Sequence, residues 1–162
     1  MGYNPYSLDG KVLLITGAAG GIGRTTAIEC SRLGASLILT DINEEGLKET
    51  LSSLEVVSGQ EHRYYKIDLT EEQEIADLVE NVPALDGCVC NAGVMKLTLT
   101  QFITIAEIER VQRINLIAPM LLTKYLVKRK RVKRGTSIVF TASAGGVFRV
   151  SVGNGIYATT KC

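Results

Sequence analysis

Lys11-Val-Leu-Leu-Ile-Thr16 is an unbroken apolar run that ends in glycines. A strand with one wet face alternates apolar and polar residues, whereas an unbroken run belongs to a strand covered on both faces. Ser36-Leu-Ile-Leu-Thr-Asp41 repeats the pattern, and residues 63–68, 87–91 and 136–141 read as three more strands. The segments between them have helical spacing. Residues 21–33 carry Ile22, Ala27, Cys30 and Leu33, with Gly34 placed to end the helix. Residues 44–57 put Leu47, Leu51 and Leu54 on one face, and residues 71–82 turn Ile75, Leu78, Val79 and Val82 inward. A long helix is expected over about residues 105–129, kinked at Pro119. A Gly-rich loop over residues 145–155 then leads to a helix beginning just before Tyr157. Alternating strands and helices make βαβ units, and right-handed crossovers gather the strands into one parallel sheet. The expected fold is therefore α/β: a doubly wound, three-layer αβα sheet of about five strands, forming a single domain over residues 1–162.

Thr16-Gly17-Ala18-Ala19-Gly20-Gly21-Ile22-Gly23 joins the first strand to the first helix. Gly17 permits a tight turn, while Gly21 and Gly23 let the backbone approach a pyrophosphate and let the helix pack against the sheet. The free N–H groups of that helix N-terminus favour an anion. Asp41 closes the second strand, where a carboxylate in a Rossmann-like fold accepts hydrogen bonds from the adenosine ribose. It also repels a 2′-phosphate, so NAD(H) is expected over NADP(H). Two alternatives stay open here: Asp41 as a cap for the helix starting near Asn43, and Arg24 as a phosphate contact that offsets the preference.

Tyr157 and Lys161 are spaced i, i+4 and share one face of a helix. An ammonium beside a phenol favours the phenolate, which makes Tyr157 a usable acid/base near neutral pH. Ser143 follows the fifth strand, and the carboxyl ends of parallel strands are where such folds bind ligands.

With these pieces in order, the sequence resembles the short-chain dehydrogenase/reductase family. The matching residues are the Thr16–Gly23 run, Asp68, Asn91-Ala92-Gly93, Asn115, Ser143 and Tyr157-x-x-x-Lys161. The resemblance implies a nicotinamide-dependent oxidoreductase acting on an alcohol or carbonyl. It implies that residues 1–162 form a dinucleotide-binding domain in which Gly17, Gly21, Ile22, Gly23, Asp41, Asp68, Leu69, Asn91, Ala92, Gly93, Tyr157 and Lys161 bind the cofactor, with Asp68 on the adenine and Asn91 by a ribose. It further implies that Ser143 orients the substrate oxygen, Tyr157 exchanges its proton, and Lys161 holds the nicotinamide ribose. Asn115 would hold a water in the proton relay. A homo-oligomer, dimer or tetramer, is expected of the complete protein. Cys90 stands where many members carry a second Asn. The family also continues beyond residue 162 into two further strands and a substrate-covering segment. The chain thus reads as truncated inside a helix, and such a fragment would expose its fifth strand as an apolar edge and aggregate.

Composition narrows the alternatives. With 18 basic and 17 acidic residues, the chain has no global field to draw in nucleic acid or an anionic membrane. Its apolar stretches are strand-sized and its N-terminus has no secretory pattern, so neither a nucleic-acid nor a membrane partner is expected, and the location expected is cytoplasmic. The basic run from Lys124 to Arg134 suits a helix C-terminus. Cys88-Val-Cys90 lacks metal-ligand spacing, and Cys30, Cys88 and Cys90 read as small buried hydrophobes, so no metal site is expected. A dinucleotide-binding module without turnover is the runner-up. A methyltransferase also uses a Gly-rich first turn and an acid after the second strand, but it gives no reason for Ser143, Tyr157 and Lys161.

Overall fold

A computed structural model describes residues 4–57, 59–148 and 151–161. Five parallel strands form one sheet in the order β3-β2-β1-β4-β5. They are β1 (Val12–Thr16), β2 (Ser36–Asp41), β3 (His62–Lys66), β4 (Leu85–Cys90) and β5 (Val132–Phe140). The order reverses direction at β1, between β2 and β4, and this is where a doubly wound sheet opens a crevice beyond its carboxyl ends.

Each strand of the centre is apolar on both faces, as the unbroken runs require. Leu14 and Ile38 point to one side, where Ile75, Leu78, Val79, Leu122 and Leu126 join them. These come from α3 (Glu72–Asn81) and α5 (Ala118–Lys128). Leu13, Ile15, Leu37 and Leu39 point to the other side and meet Ala27 and Leu47, from α1 (Gly21–Arg32) and α2 (Glu44–Ser52). The three-layer expectation is met. Cys88 and Cys90 lie within the first core, their Sγ atoms 3.9 Å apart. Both are buried hydrophobes, and their mutual contact and burial push the Cys88 thiol well up from its usual range.

Several boundaries differ from expectation. Helix α2 stops at Ser52, five residues early. The long helix is interrupted: α4 (Ile105–Gln112) passes through a π-turn over Arg113–Ile117 into α5. Pro119 therefore sits in the first turn of α5, where its missing N–H is tolerated, instead of kinking a continuous helix. Strand β5 begins at Val132 within the basic run. Its register slips between Leu85↔Val132 and Gly87↔Ser137, and Gly135 takes a left-handed φ of 85° in the bulge. Ile22 is 68% exposed and belongs to no core.

Three residues of the basic run are matched by nearby acids. Arg129 pairs with Glu80 at 2.8 Å, Lys133 with Asp86 at 2.6 Å, and Lys124 with Glu72 at 3.4 Å. At the sheet edge, Val139 and Phe140 of β5 are more than half exposed. Among the described residues, no helix is long and apolar enough to cross a membrane.

The core sets a contrast that unfolding can read. Leu122→Ala, at a fully buried position beneath the sheet, should cost about 2–5 kcal/mol. Val127→Ala on the exposed side of the same helix should stay within about 0.5 kcal/mol in urea denaturation.

Candidate active site

The turn between β1 and α1 is set by three glycines with different tasks. Gly17 has φ 66°, and a Cβ there would lie 2.8 Å from Ala92 Cα. A Cβ on Gly23 would fall onto the Gly17 carbonyl, so α1 packs directly beneath the turn. Gly21 opens α1 with φ 51°. No side chain caps this helix, and a Cβ on Gly20 or Gly21 would meet nothing within 4 Å. The first N–H groups of α1 therefore face open space with the positive end of the helix dipole behind them.

Thr16 joins this turn to the end of β4. Its buried hydroxyl accepts from the Asn91 and Ala92 N–H groups, both at 3.0 Å, and donates to the Val89 carbonyl at 3.4 Å. Asn91 returns the contact, its Nδ2 donating to the Gly17 carbonyl at 3.3 Å. The sequence placed Thr16 in the motif without assigning its side chain a task. A hydroxyl at the end of an otherwise apolar strand was the available signal.

A crevice of about 660 Å³ opens above these loops. Gly17, Ile22, Asp41, Asp68, Leu69 and the Asn91–Gly93 segment line it; of the other residues expected to bind the cofactor, Gly21 and Gly23 shape the turn beneath, and Tyr157 and Lys161 lie outside this lining. Asp41 accepts from the Ala19 N–H at 3.1 Å and from the Asn43 N–H at 3.0 Å. The cap of α2 is Asn43, whose side chain accepts from Gly46; Asp41 forms the turn before it. Asp68 accepts twice from Thr70, through the backbone N–H and the hydroxyl, each at 2.8 Å. Arg24 does not reach the crevice lining: its guanidinium bonds Glu49, Thr50 and the Ala19 carbonyl. Arg110 from α4 is the cation on the crevice wall.

Ala92 also lines a second, smaller hollow of about 170 Å³, together with Asn115, Thr141, Thr160 and Lys161. Lys161 is buried, and its Nζ donates to the Thr141 carbonyl at 2.9 Å. Burial pulls its pKa below the usual lysine range, with the neighbouring Cys90 thiol acting in the opposite direction. Asn115 lies in the π-turn. Its Oδ1 accepts from the Val94 N–H at 2.8 Å, and its Nδ2 donates to the Val94 carbonyl at 2.9 Å and to Thr160 Oγ1 at 3.0 Å. Both amide hydrogens are thus committed, which leaves one acceptor position on Oδ1 for a water. Pro119, four residues on, has no N–H to offer the Asn115 backbone carbonyl.

Two short helices carry the remaining residues. Ser143 caps α6 (Ala144–Val147), and its Oγ accepts from the Gly145 N–H at 3.2 Å. Tyr157 is in α7 (Gly155–Thr160). Lys161 is the C-cap of α7, with φ −123°, and so has left the helix. The shared helical face expected for Tyr157 and Lys161 ends one residue short. Among the described residues, no hydrogen bond joins the Tyr157 hydroxyl to Ser143 or Lys161.

Known proteins resemble this arrangement over nearly the whole chain. The profile of the short chain dehydrogenase family matches residues 11–162. The 3-oxoacyl-[acyl-carrier-protein] reductase FabG of Rickettsia bellii is 34% identical over 140 residues, covering 86% of this chain and 56% of that protein. Levodione reductase of Leifsonia aquatica is 33% identical over 157 residues, covering 93% and 58%. Its fold is shared by the crystal structure of levodione reductase, with a TM-score of 0.83 at 33% identity, covering 94% of this chain and 61% of that one. A Shigella flexneri protein described as a short chain dehydrogenase and complexed with NADP has a TM-score of 0.86 at 30% identity, covering 98% and 69%. The chain spans a little over half the length of the curated relatives it matches.

The Thr16 clamp predicts a sharp structural sensitivity. Thr16→Val keeps the side-chain shape but strips the acceptor from two backbone N–H groups. It should cost about 1–3 kcal/mol in chemical denaturation, and Thr16→Ser should recover most of it.

Proposed function

The chain belongs to the short-chain dehydrogenase family, and from that membership we propose that it is the cofactor-binding and catalytic part of a nicotinamide-dependent oxidoreductase acting on an alcohol or carbonyl. One observation carries this reading. A single loop, Asn91 to Gly93, walls the crevice that holds Asp41 and Asp68, and through Ala92 it also walls the hollow that holds Asn115 and Lys161. A dinucleotide needs such continuity, with an adenosine end and a nicotinamide end on either side of a phosphate site. The uncapped N-terminus of α1 suits the pyrophosphate. Asp41 suits the adenosine ribose, Asp68 with Leu69 the adenine, and Lys161 the nicotinamide ribose.

When bound, the nicotinamide ring supplies or accepts the hydride. The chain's own residues manage the proton and the oxygen. The Ser143 oxygen already accepts from the Gly145 N–H, so its hydrogen is free to donate to a substrate oxygen. Tyr157 gives a proton to a carbonyl oxygen in reduction, or takes one from an alcohol in oxidation. Lys161, moved from the Thr141 carbonyl toward Tyr157, would stabilise the phenolate. Asn115 holds the relay water through its remaining acceptor positions. In the complete protein we expect a dimer or tetramer.

The runner-up is a dinucleotide-binding module without turnover. The Lys161 ammonium committed to the Thr141 carbonyl favours it, as does the lack, among the described residues, of a hydrogen bond from the Tyr157 hydroxyl to Ser143 or Lys161. Tyr157→Phe separates the two: turnover of a simple secondary alcohol should fall by about 10²–10⁴-fold while NADH binding persists. Cofactor binding with no turnover in the unaltered protein would leave the module reading standing.

On the choice of cofactor, the chain and its relatives pull apart. Solved relatives at 29% and 30% identity hold NADPH and NADP. In this chain the crevice carries two carboxylates, Asp41 and Asp68, against one cation, Arg110, and Arg24 is held by Glu49, a balance that disfavours a 2′-phosphate. Fluorescence titration with NADH and NADPH should therefore give tighter NADH binding. Asp41→Ser should raise NADPH affinity by about tenfold, and tighter NADPH binding by the unaltered chain would align it with those relatives.

A further inference from the structure

We propose that Thr160 is a positioning residue for the nicotinamide end of the site, acting through Asn115 and the end of α7. The inference rests on the nicotinamide reading above and adds a residue to it.

Thr160 is 9% exposed and sits immediately before Lys161. Its hydroxyl is used in both directions. It donates to the Tyr157 carbonyl at 2.9 Å and accepts from Asn115 Nδ2 at 3.0 Å. Asn115 in turn is bonded to both backbone polar groups of Val94, at 2.8 and 2.9 Å. A continuous chain of hydrogen bonds therefore runs from the loop after β4, through the π-turn, into α7. It reaches α7 at the carbonyl of Tyr157 and one residue from Lys161.

This link joins elements far apart in sequence: Val94 and Asn115 are 21 residues apart, and Asn115 and Thr160 are 45. A hydroxyl is required at the junction. A methyl in its place would leave one hydrogen of a buried Asn amide without an acceptor. A short helix has little stability of its own, and the end of α7 takes its bearing from the contacts it makes. Besides Thr160, these include the Lys161 carbonyl accepting from the Ser143 N–H at 3.3 Å and the Lys161 Nζ on the Thr141 carbonyl. Thr160 is the contact that refers Lys161 to Asn115, and so to the floor of the hollow both residues line.

The role is local, and this gives it a signature. Asp41 and Asp68, at the adenosine end of the crevice, make their hydrogen bonds to Ala19, Asn43 and Thr70 and take no part in this chain, which touches the crevice lining at Val94. Loss of the hydroxyl should weaken binding of the whole dinucleotide and spare binding of its adenosine-diphosphoribose half.

The test uses the full chain with Thr160→Val and Thr160→Ser, titrated with NADH and with ADP-ribose. Thr160→Val should weaken NADH binding by about tenfold and change ADP-ribose binding by less than about twofold. Thr160→Ser, which keeps the hydroxyl, should bind both ligands as the unaltered chain does. Unchanged NADH affinity in Thr160→Val overturns the inference. So does a parallel loss of both ligands, which would mark a merely structural role. If the unaltered chain binds ADP-ribose as tightly as NADH, Lys161 contributes nothing to hold and the inference falls while dinucleotide binding stands. If it binds neither, the nicotinamide reading fails and takes this inference with it.

Discussion

The site depends on how closely two backbones approach one another. The turn after β1 and the loop after β4 meet at Gly17 and Ala92, too near for any side chain between them. Such proximity leaves backbone N–H groups to be satisfied, and a single threonine hydroxyl at the strand end satisfies two of them. Asn91 completes the exchange on the Gly17 carbonyl. Everything above this junction is shaped by it. The crevice exists because the two loops are pinned together at their base and diverge toward α1 on one side and α4 on the other.

The two hollows differ in character because their walls do. The crevice is acidic at its far end and opens onto an uncapped helix start, so a ligand there meets positive backbone dipoles at one point and carboxylates at another. The smaller hollow is built from committed groups: a buried ammonium on a carbonyl, and an amide bonded three times. Buried polar groups that are fully paired rigidify their surroundings. The first cavity is wide and carries charge of both signs, and the second is small and held in shape by its own hydrogen bonds.

Much of this was legible in the sequence. Unbroken apolar runs specified a parallel sheet, because burial on both faces leaves no room for a polar period. The glycines and acids fell at strand ends, where topology alone gathers them. What escaped the sequence depended on distant partners. Pro119 announced a disturbance in a helix, but whether the chain yields by kinking or by widening a turn is decided by what Asn115 finds opposite it, in Val94 and Thr160. Ile22 has the spacing of a core residue, yet in the first turn of α1 it faces the open crevice instead of the core. Tyr157 and Lys161 have helical spacing, but Lys161 leaves the helix to reach the Thr141 carbonyl. The early start of β5 was hidden because Val132 lies among lysines and arginines, of which Arg129 and Lys133 are met by acids on α3 and β4.

The π-turn at Arg113–Ile117 amounts to extra backbone wound into a helix that would otherwise run straight from α4 to α5. In an α-helix each residue advances the winding by about 100°. Widening one turn therefore resets the azimuth of everything on its far side. It allows α5 to aim Leu122 and Leu126 at the sheet while α4 brings Arg110 round to the crevice wall. A single residue deleted from this turn would preserve every side chain of both helices and still point α4 away from the crevice it borders. The length of the segment is thus as much a part of the site as its chemistry.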